Sequence, residues 1–499
     1  MNFKSSKNKK SASQKNCTII GAGISSLALA IRMAAKGHKV QVIEKNKYAG
    51  GKMHEWRADG FRFDIGPSIF TLPELADELF KLAGKNPKDY FDYVQLDPVF
   101  KYFFNDGTII EGKHTKEKMS EEIAQKTDIS YQAAFKYLKD LETKFNLTEK
   151  VFLHSSIHKF KNYFTLKSLK GFINLRKVEF FRSMDQANQK KLPEKNIKTL
   201  FNSFASYIGS NPYKTPATLN LIAHIQIDKG TYFVTEGMAQ LAKALYKLAQ
   251  ELNVKFALEE SVTEIELVNK KAKAVKTDKN TYPSDIIISG IDVYNVYKKL
   301  LPQSVMPKIS IDQPRSNSAL VFLWGMNKKF DQFIMHNMIY PSNPEGEFNA
   351  IFSTQKMTED SSIYLYISSK VNTSDAIANG ENWFVYIKTP ENKGQDWEAI
   401  TKQTRARVIK KFNTLLGEDI EKSIVYEKNL DPIFYQNETN AAYGSIYGTQ
   451  NNGFRSSWKK HANFSADIEG LYFCGGTVHP GPGVPLALLS AKITSELID

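Results

Sequence analysis

Gly21-Ala22-Gly23 constrains the fold more than any other feature of the chain. It is set between the apolar run Cys17-Thr18-Ile19-Ile20 and the Ala- and Leu-rich stretch Leu27 to Lys36. An apolar run ending in glycine predicts a buried parallel strand, and the pattern after it predicts a helix that starts directly at the turn. Gly21 permits the tight turn, and Gly23 lets bare backbone approach a phosphate. The helix start offers free N–H groups and a partial positive charge. Ser26 stands where this fingerprint has a third glycine. Val40 to Ile43 reads as a second strand, with Glu44 at its end placed to accept hydrogen bonds from ribose hydroxyls. Strand, turn, helix, strand and terminal acid in this order predict a dinucleotide-binding α/β fold.

A second glycine-rich segment lies near the other end, Gly475-Gly476-Thr477-Val478-His479-Pro480-Gly481-Pro482-Gly483-Val484-Pro485. Its backbone can lie close against a flat ligand, and a helix from about Leu486 would aim its positive end at that ligand. Pairing the two segments suggests FAD rather than NAD. Between them, Gly50-Gly51-Lys52 and Phe63-Asp64-Ile65-Gly66-Pro67-Ser68 can bring bare backbone, and with Lys52 a cation, towards the phosphates or the isoalloxazine.

These residues together resemble the carotenoid desaturases of the bacterial phytoene desaturase type, within the wider group of FAD-containing amine oxidase-like proteins. The resemblance spans nearly the whole chain. It rests on GAGISSLALAIRMAAKGHKVQVIEKNKYAGGKM, FRFDIGPS, YFVTEGMAQLAKAL followed by SVTEI, SDIIISGID, and LYFCGGTVHPGPGVPLALLSAKI. Its closing segment, Pro485 to Lys492, is most similar to the branch acting on 1-hydroxylated carotenoids. The implied fold is a Rossmann-like FAD-binding α/β domain of the amine oxidase-like (GR2) type, with an inserted α+β substrate domain and a helical membrane-associated region. The implied cofactor contacts are Gly21, Gly23 and Ser26 at the pyrophosphate and Glu44 with Lys45 at the adenosine ribose. Gly51, Lys52, Gly66, Pro67 and Ser68 would meet the middle and flavin end, the Val262 backbone adenine, and Gly476, Thr477, Val484 and Pro485 the isoalloxazine.

Composition sets the context. At 499 residues the chain is long enough for two or three domains. A formal charge of +14, evenly spread, argues against a dedicated nucleic-acid binder and suits an anionic membrane face. Cys17 and Cys474 each sit beside a glycine motif in a predicted buried strand, so no disulfide and a reducing, cytoplasmic setting are expected. Met1 to Asn16 reads as a disordered basic tail without a signal-peptide core. No stretch approaches the ~20 apolar residues needed to cross a bilayer, so membrane contact would be peripheral.

The nucleotide-fold signals are discontinuous. They occupy 17–97, 231–301 and 440–499, with a helical, substrate- or membrane-facing insertion at 98–230 and a strand-rich substrate domain at 302–439. In that last segment Ala319 to Trp324, Ile363 to Ile367 and Trp383 to Ile387 predict strands able to wall an apolar tunnel. From Lys159 to Arg182, basic residues including Lys167, Lys170 and Lys177 alternate with Phe160, Tyr163, Phe164, Phe172, Phe180 and Phe181. This composition suits a helix in the lipid interface, and equally a helix packed on its own protein with a solvated lysine face.

The resemblance implies FAD-dependent desaturation of an acyclic carotenoid, above all 3,4-desaturation of a 1-hydroxycarotenoid, by hydride transfer to flavin N5 and loss of a proton. Phytoene desaturation is the alternative, followed by amine or protoporphyrinogen oxidation. A carrier of prenylated proteins with a related fold and no redox chemistry is the alternative from another class. The chain has no second nucleotide turn for a nicotinamide, so electrons would pass to oxygen or a quinone. His479 adjoins the flavin-facing loop and suits a base near neutral pH, or else a structural histidine holding that loop. Glu236 is a second candidate base. His154 and His158, four apart, lack a third zinc ligand and read equally as a solvated face, so no metal is expected.

Overall fold

A computed structural model of the protein describes residues 13–149, 156–158, 179, 181–307, 311–453 and 456–498. Five parallel strands form its nucleotide sheet: β1 (Asn16–Ile20), β2 (Lys39–Ile43), β3 (Lys255–Ala257), β4 (Ile286–Ser289) and β5 (Leu471–Phe473). They are ordered β5-β4-β1-β2-β3. Cys17 is in register with Val40 on one side and Ile286 on the other. The strands are short and β-branched because both faces of the sheet are covered; Ile19, Val42, Ile287 and Ile288 are fully buried.

On one face lie α1 (Ile24–Ala35), α2 (Met238–Glu251) and α3 (Val484–Leu497). Helix α1 packs against both of the others. Its Ala28 and Ala30, wholly buried, allow that close approach. The other face is covered by a three-stranded antiparallel sheet, Val262–Val268, Lys271–Thr277 and Thr281–Pro283, which sets Ile265 and Val275 over Ile20, Ile43 and Ile287. The order of β4, β1 and β2 makes the carboxyl end of β1 a switch point, where open α/β sheets bind their ligands.

A seven-stranded sheet stands beside this unit. Its order is Ile424–Leu430, Ser318–Met326, Glu381–Thr389, Ile363–Tyr366, His336–Ile339, Phe100–Phe103 and Ile109–Gly112. Strand period decides its two faces. Leu320, Phe322, Trp324, Leu365, Val385 and Ile387 pack against Val408 and Phe412 of helix Trp397–Leu416. The alternate residues Tyr364, Tyr366, Phe384 and Tyr386 look the other way, with Tyr364 directly opposite Tyr386. The hairpin Phe100–Phe103/Ile109–Gly112, at the head of the stretch read as helical, extends this sheet instead. Helices Lys116–Lys126, Tyr131–Thr148, Met184–Lys191 and Lys195–Ser203 follow it and share a core around Leu138, Leu141, Leu200 and Phe201. The basic aromatic stretch lies almost wholly outside the described residues. Among the described residues no helix is long and apolar enough to cross a membrane.

Candidate active site

The turn after β1 is held from both sides. Gly21 has φ +88°, a conformation open to glycine, and its N–H donates to the Ile43 carbonyl at 2.8 Å. Glu44, 7 % exposed, accepts from the Ala22 N–H through Oε2 at 2.7 Å and from the Asn46 N–H through Oε1 at 2.9 Å. The acid expected at the ribose therefore also pins the phosphate turn. Gly23 caps α1 without any side-chain hydrogen bond to the helix start. A Cβ at Gly23 would have nothing within 4 Å. Its free N–H groups and bare backbone thus face open space.

Ser26 needs a correction. Its side chain, expected beside the pyrophosphate, is wholly buried between helix and sheet. A Cβ on Gly290, just past β4, would come 1.9 Å from Ser26 Oγ, so Gly290 supplies the room that the fingerprint's third glycine would otherwise provide. Ser25 lines the cavity in its place.

The cavity has a volume of about 990 Å³ and runs from this turn to the closing glycine-proline segment. It is lined by Gly21, Gly23, Glu44, Lys45, Gly51, Lys52, Gly66, Pro67, Ser68 and Val262, and by Gly476, Thr477, His479, Val484 and Pro485. Glu236 is exposed and outside this lining. At the far end Gly483 caps α3, again with no side-chain hydrogen bond and with open space where a Cβ would stand. The loop before it is fixed: the His479 carbonyl accepts from Asn463 Nδ2 at 2.8 Å and Ser490 Oγ at 3.0 Å, and its N–H donates to His461 O at 3.1 Å. Thr477 Oγ1 accepts from the Val293 N–H at 3.2 Å. The His479 ring meets His158 edge-on, with centroids 5.9 Å apart. His154 lies outside the described residues, and among the described residues no cluster could hold a metal ion.

Three lysines line the cavity, Lys45, Lys52 and Lys299. Lys52 Nζ donates to the Ile446 carbonyl at 2.8 Å, and burial, partly opposed by Asp292, brings its pKa down to about 8. Lys45 donates to the Asn437 carbonyl and is also lowered by burial. Cys17 and Cys474 are both buried, and desolvation pushes each thiol up to about 12. The sequence reading missed Tyr207, Gln226, Tyr364, Tyr386 and Tyr447, which line the other limb. They carry no motif, and only strand register or helix packing turns them inward.

A ligand with an anionic middle and a flat ring that takes up negative charge on reduction satisfies this arrangement. Two helix starts without a side-chain cap open on one cavity, each beside a glycine that leaves space, and Lys52 lines the same cavity. FAD fits that description; Gly21, Gly23, Glu44 and Lys52 would hold its phosphates and ribose, and Gly476, Thr477, Val484 and Pro485 its ring. Fold and site therefore define a flavin-dependent oxidoreductase.

The family described as flavin containing amine oxidoreductase matches residues 24–499, and the chain belongs to it. Within it the chain belongs with the carotenoid desaturases. It is 38 % identical over 484 residues to 1-hydroxycarotenoid 3,4-desaturase of Flavobacterium sp. (strain P99-3), covering 97 % of this chain and 99 % of that one. It is 34 % identical to 4,4'-diapolycopene oxygenase of Methylomonas sp., covering 96 % and 97 %. The crystal structure of an oxidoreductase from Methanosarcina mazei superposes with a TM-score of 0.66 at 12 % identity, covering 97 % and 100 %, which establishes the shared fold. The cofactor is FAD.

Lys52 carries a testable cost. A buried lysine lowered from 10.5 to about 8 releases its proton on folding, so the flavin-free chain should gain stability as pH rises from about 8 towards 10.5. Lys52→Met should abolish that slope and raise the melting temperature of the flavin-free chain near pH 7. It should weaken FAD retention by about tenfold or more, as expected for loss of a charge-assisted contact. Melting scans against pH, with and without FAD, check both effects.

Proposed function

We propose that this protein is an FAD-dependent desaturase of acyclic carotenoids, acting above all between carbons 3 and 4 of a 1-hydroxycarotenoid. The observation that carries the reading is the continuity of the cavity. Its cofactor end opens into a limb walled by Leu219, Leu221, Ile222, Ile225, Phe384 and Tyr386. These six side chains are all uncharged, which suits an oily chain. The name of the Flavobacterium relative supports the substrate class. The reading divides the chain into a cofactor unit (17–97, 231–301, 440–499) and substrate-side insertions at 98–230 and 302–439.

Bound FAD supplies the hydride acceptor, and loss of a proton from the neighbouring carbon completes the double bond. The chain's own residues hold the polyene against the ring and exclude water. His479 is the proposed proton acceptor. It lines the cavity, and its backbone is fixed through Asn463, Ser490 and His461. His479→Gln should lower turnover by about 100-fold or more with unchanged flavin content, in line with general-base losses. Normal turnover would remove it from the mechanism.

The deciding experiment supplies the FAD-loaded protein, in vesicles, with phytoene or with a 1-hydroxylated carotene, oxygen or a quinone being the acceptor. A red-shifted product from the hydroxylated substrate supports the reading. A product from phytoene alone supports phytoene desaturation, and no product from either sinks both.

Peripheral contact with an anionic membrane belongs to the same proposal, since the substrate dissolves only in lipid. Its basis is the basic aromatic stretch 159–182, where Phe181 is 87 % exposed. Each lysine near anionic lipid contributes ~1 kcal/mol. Charge reversal at Lys167, Lys170 and Lys177 together should release the protein from anionic liposomes with flavin content unchanged. Retained binding in a flotation assay would refute the contact.

A further inference from the structure

A chain of hydrogen bonds on the wall of the cavity has no task in the reading above. Ser68 Oγ and Tyr364 Oη, both in the lining, are 2.7 Å apart. Tyr364 Oη lies 2.8 Å from Nδ1 of His336, a wholly buried residue. The imidazole is clamped between Phe100 and Tyr366, with ring centroids at 5.1 and 5.2 Å and near-parallel planes. Its Nε2 has no hydrogen-bond partner among the described residues.

The direction of this chain follows from proton counting. Burial brings His336 down to about 3, so the ring is neutral at any working pH and has one N–H to place. A proton on Nε2 would leave a buried donor unpaired. A proton on Nδ1 leaves only a lone pair unpaired, the commoner and less costly orphan. Nδ1–H then donates to Tyr364 Oη, the single Tyr364 proton goes to Ser68, and the Ser68 proton points into the cavity. A ring held neutral at this depth stores no extra proton, so the chain acts as a fixed donor and not as a proton sink.

We propose that Ser68, oriented by Tyr364 and His336, donates a hydrogen bond to an oxygen carried by the substrate next to its reacting carbons, and so selects a hydroxylated polyene over a pure hydrocarbon. The inference rests on the desaturase reading. Position supports it. In a 1-hydroxylated chain the oxygen is three bonds from carbon 3, about 3 to 4 Å away, so whatever reads it must stand at the redox end of the cavity. Ser68 does so. It follows Gly66, where a Cβ would come 1.7 Å from the Lys52 carbonyl oxygen. Lys52 in turn holds the Ile446 carbonyl, and Gly448, two residues on, packs on Thr477. The rival polar group, Tyr207 with Gln226, is already engaged: Tyr207 donates to Gln226 Oε1, and Gln226 Nε2 donates to Tyr102 Oη at 3.1 Å.

The test supplies a 1-hydroxylated carotene and its deoxy analogue separately, in vesicles, to FAD-loaded wild type, Tyr364→Phe, His336→Phe and Gln226→Leu. Flavin absorbance is checked in each. Wild type should prefer the hydroxylated substrate by about 100-fold or more in kcat/KM, as a site built to bind a hydroxyl does. Tyr364→Phe and His336→Phe, which keep an aromatic ring at each position, should cut that preference about tenfold, read as the ratio of kcat/KM between the two substrates. An unchanged preference in both variants overturns the inference even if overall activity falls, as does a preference lost in Gln226→Leu and kept in Tyr364→Phe. Wild type that turns over neither polyene overturns the desaturase reading and this inference with it, an outcome distinct from the others.

Discussion

Gly23→Leu should yield a folded, colourless protein. Gly23 has φ −68° and ψ 171°, which any residue adopts, so the substitution imposes no backbone strain. A Cβ there meets no protein atom within 4 Å, so the core between α1 and the sheet is left intact. The new side chain instead fills the space in front of the free N–H groups of α1, where the pyrophosphate belongs. The expected result is a melting temperature for the flavin-free chain within a few degrees of wild type, with FAD affinity reduced about 100-fold or more through exclusion of the phosphate contacts. Gly66→Ala is the contrasting control, since its Cβ would stand 1.7 Å from the Lys52 carbonyl oxygen and the backbone itself must move. Visible absorbance after gel filtration, compared with thermal melting of the same samples, separates the two. A yellow Gly23→Leu protein would show that the phosphates lie elsewhere.

The largest loss of stability is expected at Arg62. Its guanidinium is 3 % exposed and reaches Glu55 Oε2 at 2.9 Å, Asp64 Oδ1 at 2.6 Å and Asp375 Oδ2 at 2.9 Å. Asp64 also accepts from the Ala239 N–H at 3.1 Å, at the start of α2. Asp375 lies in the segment between two strands of the large sheet, so one side chain ties that sheet to the nucleotide unit. Arg62→Leu would strand two buried carboxylates, a defect that costs about 3 to 5 kcal/mol. Burial already holds the Asp64 and Asp375 carboxyls above their ordinary range, against the opposing pull of Arg62. Without Arg62 they rise further. A carboxyl with a raised folded-state pKa contributes stability below its unfolded value, about 3.9, and loses it as pH climbs through the folded value. The deficit should therefore be greatest near neutral pH and shrink in acid. Denaturant midpoints of wild type and variant across that range check the sign, and a deficit independent of pH would assign the loss to packing.

Part of this architecture is legible in the sequence alone. The turn at Gly21 to Gly23, the acid at Glu44 and the closing segment from Gly475 are local devices, and a few adjacent residues settle their backbone geometry. The strands from Ala319 and Trp383 were legible because β-branched and aromatic runs have few other uses. Ser26 was misread because Gly290, far along the chain, makes the space it occupies. Phe100 to Phe103 was assigned to a helical stretch, yet four residues carry too little pattern to reveal a strand that pairs with His336–Ile339.

The sequence by itself determined the nucleotide fold, the cofactor class and two glycine-rich segments that line one cavity, since each depends on glycine, proline and charge at short range. Only the tertiary structure decided which tyrosines line the cavity, which carboxylates Arg62 joins, and that Ser68, Tyr364 and His336 form one hydrogen-bonded chain. Those pairings come from strand register and from packing between remote segments, where a slip of one residue turns every side chain to the other face.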